Sequence, residues 1–308
     1  MPEATDYRRR QWFDLGVRAL VAARPGAPNV YCCPLCIRGS DTAHPSVLSL
    51  EDVPPKSVGG KPLLLTCRQC NNRHGSDLDS HIKAGRDLRD IVEGKRETWG
   101  RLRVGENRMT VKGTVFGEDN ALEEIAGKSN PPERDAVQSH LESLAGKDAS
   151  GGEFHFEFSI KHNEWRERVA WLRVAYLYLS ALLGYTFVLR TVLNPIRDQF
   201  RRPDEKLVPQ VIKTMIDPIP EDCIVSISRP AELVSFAVKL RRWMFFFPGF
   251  VDTDSFYSRL SELPEKGELS VSGKRLDIPT EPKFLCDFHP ELARYLALQQ
   301  SGESRDVV

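Results

Sequence analysis

The cysteines carry the clearest chemical signal in this sequence. The chain has seven, and four of them form the pairs Cys33-Pro-Leu-Cys36 and Cys67-Arg-Gln-Cys70. Each CxxC turn can place two thiolates on one metal ion, and two such turns complete a tetrahedral shell. Because four sulfurs leave no open coordination position, the spacing predicts a structural zinc site.

Cys32 stands beside Cys33 and could replace it as a ligand. That choice would leave three residues before Cys36 instead of two, so Cys33 is the preferred ligand. Cys223 and Cys286 are isolated, and we expect them to be small buried apolar residues. No secretory signal is recognisable, which favours metal binding over disulfides and predicts a reducing, cytoplasmic location.

The thirty residues between the two cysteine pairs predict a hairpin. Two short apolar runs, 47–50 and 62–66, are separated by the acidic pair Glu51-Asp52, a Val-Pro-Pro segment and a Gly-Gly turn. Asn71 and Asn72 directly follow the second cysteine pair, and a helix is predicted from about residue 75 to 93. The order is therefore knuckle, hairpin, knuckle, asparagine, helix.

The string LSLEDVPPKSVGGKPLLLTCRQCNNRHGSDLD resembles the zinc-stabilised HNH, or ββα-metal, nucleases, and the resemblance covers about residues 30–95. In that family an acid and a histidine end the first strand. A CxxCN knuckle supplies an asparagine, and a helix residue completes a divalent-metal site. The resemblance implies phosphodiester hydrolysis of nucleic acid, with DNA as the expected substrate. One Mg²⁺ or Mn²⁺ ion would bind the scissile phosphate.

The residues carried over from this resemblance fall into two overlapping sets. The implied catalytic residues are Glu51, Asp52, Asn71 and Asp79. The implied ligands of the divalent ion are Glu51, Asn71 and Asp77. His81 competes with the two aspartates for the helix position.

Asp52 stands where the family has its histidine, and an ordinary carboxylate is a weaker base than imidazole near neutrality. Three hypotheses follow. Asp52 could itself be the base or a metal ligand, with a pKa tuned by its neighbours. Alternatively, His44, His74 or His81 could fold into the site and replace the missing histidine. Finally, the module could have lost cleavage and kept only its scaffold.

Each of these residues also has a non-catalytic interpretation. Glu51 and Asp52 could cap a hairpin, Asn71 could satisfy backbone groups at the knuckle, and His74 is expected to be a surface residue. Two rival functions therefore stand beside the nuclease. One is a catalytically inactive module that binds nucleic acid. The other is a zinc-stapled scaffold for protein interactions.

The elements that must position these residues predict an α+β protein. An N-terminal helix and linker occupy 1–29, the four-cysteine HNH-like module 30–95, and a larger mixed α+β domain 96–300. This last domain is expected to contain a hairpin at 101–117 and a long apolar helix near 163–193. It could also hold the contacts for a homo-oligomer or a protein partner.

The charge is unevenly distributed along the 308 residues. The chain has a net charge of zero, but residues 56–116 carry a net charge of +6 and residues 117–167 a net charge of −7. The basic stretch overlaps the cysteine module and is compatible with a phosphate backbone as partner. The apolar run Val174–Leu189 is too short for a typical membrane span, so we expect a buried core helix and no membrane contact.

Overall fold

The computed structural model describes residues 2–37, 45–104, 107–115, 122–127, 135, 139, 154–215, 221–230, 233–250, 255–263, 271–290, 292–293 and 296. The architecture is mixed α+β, as predicted. The chain divides into two compact units. Unit 1 comprises Met1–Ile82 and Glu164–Val308, and unit 2 comprises Lys83–Asn163. The predicted domain boundaries at residues 29 and 95 stay predictions.

The secondary-structure elements are numbered here in chain order. The helices are α1 (Pro2–Ala23), α2 (Arg68–His74), α3 (Ser80–Val92), α4 (Glu164–Leu183), α5 (Tyr185–Val188), α6 (Asn194–Arg201), α7 (Phe256–Glu262) and α8 (Leu285–Phe288). The strands are β1 (Leu48–Val53), β2 (Lys61–Cys67), β3 (Thr98–Val104), β4 (Asn107–Val115), β5 (Leu122–Gly127), β6 (Phe154–Glu157), β7 (Ile212–Thr214), β8 (Cys223–Arg229), β9 (Ser235–Leu240), β10 (Trp243–Pro248) and β11 (Ser272–Leu276).

The predicted hairpin between the cysteine pairs is confirmed. β1 and β2 pair antiparallel, with Leu48 opposite Cys67, and the register shifts between Glu51 and Asp52. Close packing requires the second glycine of the Gly-Gly turn, Gly60. A Cβ built there would lie 1.4 Å from the Pro54 carbonyl oxygen. Only glycine allows the backbone to approach this closely.

Helix α1 packs its apolar side against this hairpin. Trp12 and Phe13 of α1 join Tyr31, Leu48 and Leu65 in one buried cluster. The Tyr31 hydroxyl donates to the Leu65 carbonyl oxygen at 2.9 Å, so the loop that leads to the first cysteine pair is fixed to β2. Burying such side chains stabilises the module by roughly 1.5–3 kcal/mol each.

Helix α4 is the centre of the main core. Its residues are almost all buried from Val169 to its end, which is what an all-round apolar helix requires. Of the helices in the described ranges, none is long and apolar enough to cross a bilayer. The run that begins at Val174 is therefore packed inside the fold, as the sequence predicted.

The long helix ends earlier than the predicted position 193. Gly184 adopts φ 72° and stops α4 at Leu183, and the short helix α5 follows. The carboxylate of Asp287 stabilises the end of the helix. It accepts hydrogen bonds from the backbone N–H groups of Tyr185 (2.6 Å) and Thr186 (2.8 Å), which directly follow Gly184. A single glycine inside a helical pattern is often tolerated, so the residue type alone does not predict this helix end.

A five-stranded antiparallel sheet completes unit 1, in the order β11-β8-β9-β10-β7. The side chains of β9 are entirely buried, and those of β10 are buried except for the half-buried Met244. This sheet therefore supplies one wall of the core that α4 occupies.

Unit 2 contains a four-stranded sheet in the order β5-β4-β3-β6, with antiparallel pairing throughout. The predicted hairpin at 101–117 is present as β3 and β4. One face of the sheet is apolar. A Cβ built on Gly100 would lie 2.4 Å from the Phe156 ring, and that ring packs 6.0 Å from Phe158.

Candidate functional site

The four predicted cysteines form one cluster. The sulfurs of Cys33, Cys36, Cys67 and Cys70 all lie within 4.8 Å of one another. Cys67 ends β2 and is the N-cap of α2, so the hairpin and the helix hold the second pair rigidly. The backbone N–H groups of Cys67 and Cys70 donate to the sulfurs of Cys33 and Cys67 at 3.4 Å, which favours the thiolate form.

The donor set fits zinc. A tetrahedral site with Zn–S bonds of about 2.3 Å requires sulfurs about 3.8 Å apart, and the sulfurs of Cys36 and Cys67 are 3.9 Å apart. Hydrogen bonding with the other three thiols raises the pKa of Cys33 above its ordinary value, so the cluster alone resists full ionisation. A bound dication would remove that penalty.

Cys32 lies outside the cluster, in line with the preference for Cys33. Burial raises the pKa of the Cys32 thiol to about 12, so it stays protonated. Its backbone carbonyl accepts a hydrogen bond from the Tyr185 hydroxyl at 2.9 Å. Cys223 and Cys286 are buried, as expected.

Two of the predicted catalytic acids meet on a single cation, Arg173 of α4. Its guanidinium contacts the Glu51 carboxylate through Nη2, and its Nη1 lies 2.6 Å from Oδ1 of Asp79. The side chains of Arg173 and Glu51 are 1% and 3% exposed. The Thr66 hydroxyl donates to the second oxygen of Glu51 at 2.7 Å. We name Glu51, Asp79 and Arg173 the arginine triad.

The triad is electrostatically asymmetric. Burial raises the pKa of Asp79 to about 6, although Arg173 acts in the opposite direction. The two carboxylates together exceed the charge of one guanidinium, so the fully ionised triad has a net charge of −1. Arg173 is the one cation of the triad and the counter-ion of both carboxylates.

Asn71 lies next to this triad and acts on the backbone. Its Nδ2 donates to the Ser49 hydroxyl at 2.9 Å and to the Leu50 carbonyl oxygen at 3.3 Å. Helix α2 thereby fixes the strand that carries Glu51. These bonds go to β1, and the catalytic and the structural role predicted for Asn71 both stay predictions.

The structure does not gather the other two predicted acids into the triad. Asp77 contacts Arg73 at 3.7 Å and accepts from Ser76 at 2.9 Å, both on the exposed side of the helix. Asp52 is half-buried, and partial burial raises its pKa against the effect of Lys56. Within the described ranges, the four cysteines are the one group of three or more potential ligands close enough to share an ion.

The expectation of a surface His74 is wrong, because His74 is 3% exposed. Its ring packs edge-on against Phe200 at 6.4 Å, and none of the described residues forms a hydrogen bond with its Nδ1. Burial, with Arg173 as the next cause, lowers the pKa of His74 to about 3, so the imidazole is neutral near pH 7. His81 is also buried, and His44 lies outside the described residues.

Arg173 is the site residue that the sequence analysis missed. It lies in WLRVAYLYL, where a lone arginine interrupts an apolar helix. Such a charge, once buried, requires a partner, and that requirement was the available signal. Its two partners lie 122 and 94 positions away in the sequence, so spacing alone could not identify them.

No family model matches the chain, and no curated protein or solved structure matches it either. The resemblance to HNH nucleases stays a prediction.

Proposed function

We propose that this chain is a zinc-stabilised, HNH-like module that binds nucleic acid without cutting it. The observation that supports this proposal is the arginine triad. In the resemblance to HNH nucleases, Glu51 matches the acid of the metal site, and Asp77 or Asp79 matches the helix residue that completes it. Here the guanidinium of Arg173 contacts the carboxylates of Glu51 and Asp79, which supports a cation of the protein in place of the ion.

The burial of the triad makes exchange of Arg173 for a metal ion unfavourable. A divalent ion that displaced Arg173 would leave a cation with 1% exposure without a partner. Breaking a buried ion pair in this way costs about 3–5 kcal/mol. Mg²⁺ also gives up its water shell reluctantly, and Glu51 offers little access for a hydrated ion.

The remaining machinery is also incomplete for hydrolysis. Asp52 is a carboxylate where the family has a histidine, and the Nδ2 group of Asn71 donates to Ser49 and Leu50, which fixes the orientation of that side chain. The zinc would be held by the four cysteines and would act only as a structural clamp, since no coordination position stays open. A folded scaffold with exposed arginines then suffices for binding.

A divalent-metal-dependent nuclease, most simply a DNA nuclease, is the second candidate. One observation favours it: Glu51 and Asp79, separate in sequence, do converge on a single cationic group. In this alternative, substrate or Mg²⁺ would displace Arg173 and restore a metal site. His74 is buried near Arg173, and its pKa of about 3 makes it a weak base, so this alternative requires the loss of Arg173 to raise that pKa.

The deciding experiment incubates pure zinc-loaded protein with supercoiled plasmid and with single-stranded DNA, in Mg²⁺ and in Mn²⁺. The proposal expects no cleavage, together with DNA binding that weakens as salt rises. Metal-dependent cutting that disappears in Glu51→Ala would overturn it in favour of the nuclease. Neither cutting nor binding would favour the interaction scaffold.

A further inference from the structure

A second surface, in unit 2, has the chemistry of a nucleic-acid contact. On β3 the side chains of Trp99, Arg101 and Arg103 are exposed and alternate with the apolar positions Gly100 and Leu102. Alternation places these three on one face of the sheet, about 6.7 Å apart along the strand. We name this face, with Thr110 and Lys112 of β4, the Trp99 face.

The register extends this basic face onto the neighbouring strands. Trp99 pairs with Lys112 and Arg101 with Thr110 on β4, while Arg103 pairs with the exposed His155 on β6. Glu157 pairs with Arg101, and Glu97, which directly precedes β3, contacts Lys112. The three cations Arg101, Arg103 and Lys112 exceed these two carboxylates by one positive charge.

One feature distinguishes this face from an ordinary solvated surface. Among the described residues, neither Arg101 nor Arg103 forms an ion pair, whereas Lys112 contacts Glu97. An anionic partner would supply the counter-charge for these two arginines.

The exposed ring of Trp99 indicates which class of anionic partner fits this face. It is 45% exposed, whereas each of the other four tryptophans is buried or half-buried. The apolar side of the sheet is already occupied by the Phe156 ring, so Trp99 contributes little to that core. An exposed aromatic between cations offers a stacking surface for a base, and only an unpaired base can reach it.

We propose that the Trp99 face binds single-stranded nucleic acid, with Trp99 stacking on a base and Arg101 and Arg103 contacting phosphates. This inference rests on the proposed nucleic-acid role for its class of partner. It assigns the contact to unit 2, which contains none of the arginine triad and none of the cysteine cluster.

The test measures binding of a fluorescent 20-nucleotide oligomer by anisotropy, in single-stranded and duplex form, at 50 and 200 mM salt. Trp99→Ala is expected to weaken single-strand binding about tenfold. Arg101→Gln with Arg103→Gln is expected to reduce the salt slope by about 1.4, since each phosphate contact in a single strand contributes about 0.7. Trp99→Phe should restore much of the affinity, because it keeps a ring.

The matched control is Arg8→Gln with Arg10→Gln, two exposed arginines spaced alike on α1. Equal losses in control and test variants, or unchanged binding in both, would overturn the Trp99 face while leaving nucleic-acid binding intact. A preference for duplex would also overturn it. If the wild-type protein binds no nucleic acid at all, the proposed function fails with it. Metal-dependent cutting with Trp99-dependent binding would overturn the proposed function alone.

Discussion

Nη1 of Arg173 lies 2.6 Å from Oδ1 of Asp79, so a residue of the central helix neutralises an acid that precedes α3. The same guanidinium contacts Glu51 at the end of the hairpin. One cation therefore ties the hairpin, the helical segment after the second knuckle and α4 together. The stability of this part of unit 1 must depend on it.

The first prediction concerns Arg173→Met, which keeps the length of the side chain and removes its charge. The buried Glu51 and the half-buried Asp79 would then be two carboxylates without a counter-ion. We expect the free energy of unfolding to fall by about 3–5 kcal/mol at pH 7. Urea unfolding followed by circular dichroism measures this change.

Arg168→Met is the matched control, because Arg168 is on the same helix but pairs with Glu164 at its exposed start. Its loss should stay within about 0.5 kcal/mol. A second variant, Arg173→Met with Glu51→Gln and Asp79→Asn, removes all three charges and should recover much of the stability. Equal stability of Arg173→Met and wild type would contradict a structural role for the triad.

The second prediction concerns the metal. The protein should contain one zinc per chain by elemental analysis, and Cys70→Ser should lose it, because three sulfurs cannot close the shell. Chelation should unfold the module, since structural zinc contributes apparent free energies of about 10–16 kcal/mol in small domains. Cys223→Ala, a buried cysteine outside the cluster, should keep its zinc. A full zinc content in Cys70→Ser would contradict the assignment.

The third prediction is a pH dependence that originates at His74. Its pKa is about 3 in the folded protein and near 6.5 when unfolded, so the unfolded state binds the proton first. Stability must therefore fall as pH decreases from about 6.5, by up to about 1.4 kcal/mol per pH unit. His74→Phe removes the titration and keeps the ring that packs on Phe200.

The measurement is the difference in unfolding free energy between His74→Phe and wild type at pH 5, 6 and 7. Asp79 acts with the opposite sign, because its raised pKa of about 6 makes stability fall as pH rises toward 6. Both proteins keep Asp79, so its contribution cancels in the difference. A flat difference for His74→Phe would sink the assignment.

The sequence predicted what depends on local spacing. Two CxxC turns separated by a hairpin were sufficient to expect the four-cysteine cluster, and the alternating residues after position 100 were sufficient to expect β3 and β4. Both patterns are set by geometry within a few residues. The preference for Cys33 over Cys32 followed from the same spacing.

What the sequence did not predict depends on distant packing. The burial of His74 is set by Phe200, and the partners of Glu51 and Asp79 are set by α4. The end of α4 is set by Asp287, about a hundred residues later. No local pattern encodes such contacts, although the lone arginine within WLRVAYLYL indicated that some acid had to be buried with it.

The fourth prediction compares two glycines that differ in their surroundings. In Gly184→Ala the new Cβ would lie 1.7 Å from Oδ2 of Asp287, and the backbone has φ 72°. With ψ −153°, this backbone conformation is essentially restricted to glycine and costs about 1–3 kcal/mol for another residue, and overpacking adds about 1–3 kcal/mol. We therefore expect a loss of about 2–6 kcal/mol in the free energy of unfolding.

Gly75→Ala is the internal contrast. Gly75 has helical φ −58° and ψ −41°, and a Cβ there meets nothing within 4 Å. Alanine should therefore raise the free energy of unfolding by about 0.5–1 kcal/mol, because it restricts the unfolded chain and favours the helix. Thermal and urea unfolding of the two variants side by side measure both signs. Two losses of similar size would mean that the contact between Gly184 and Asp287 does not set the end of α4.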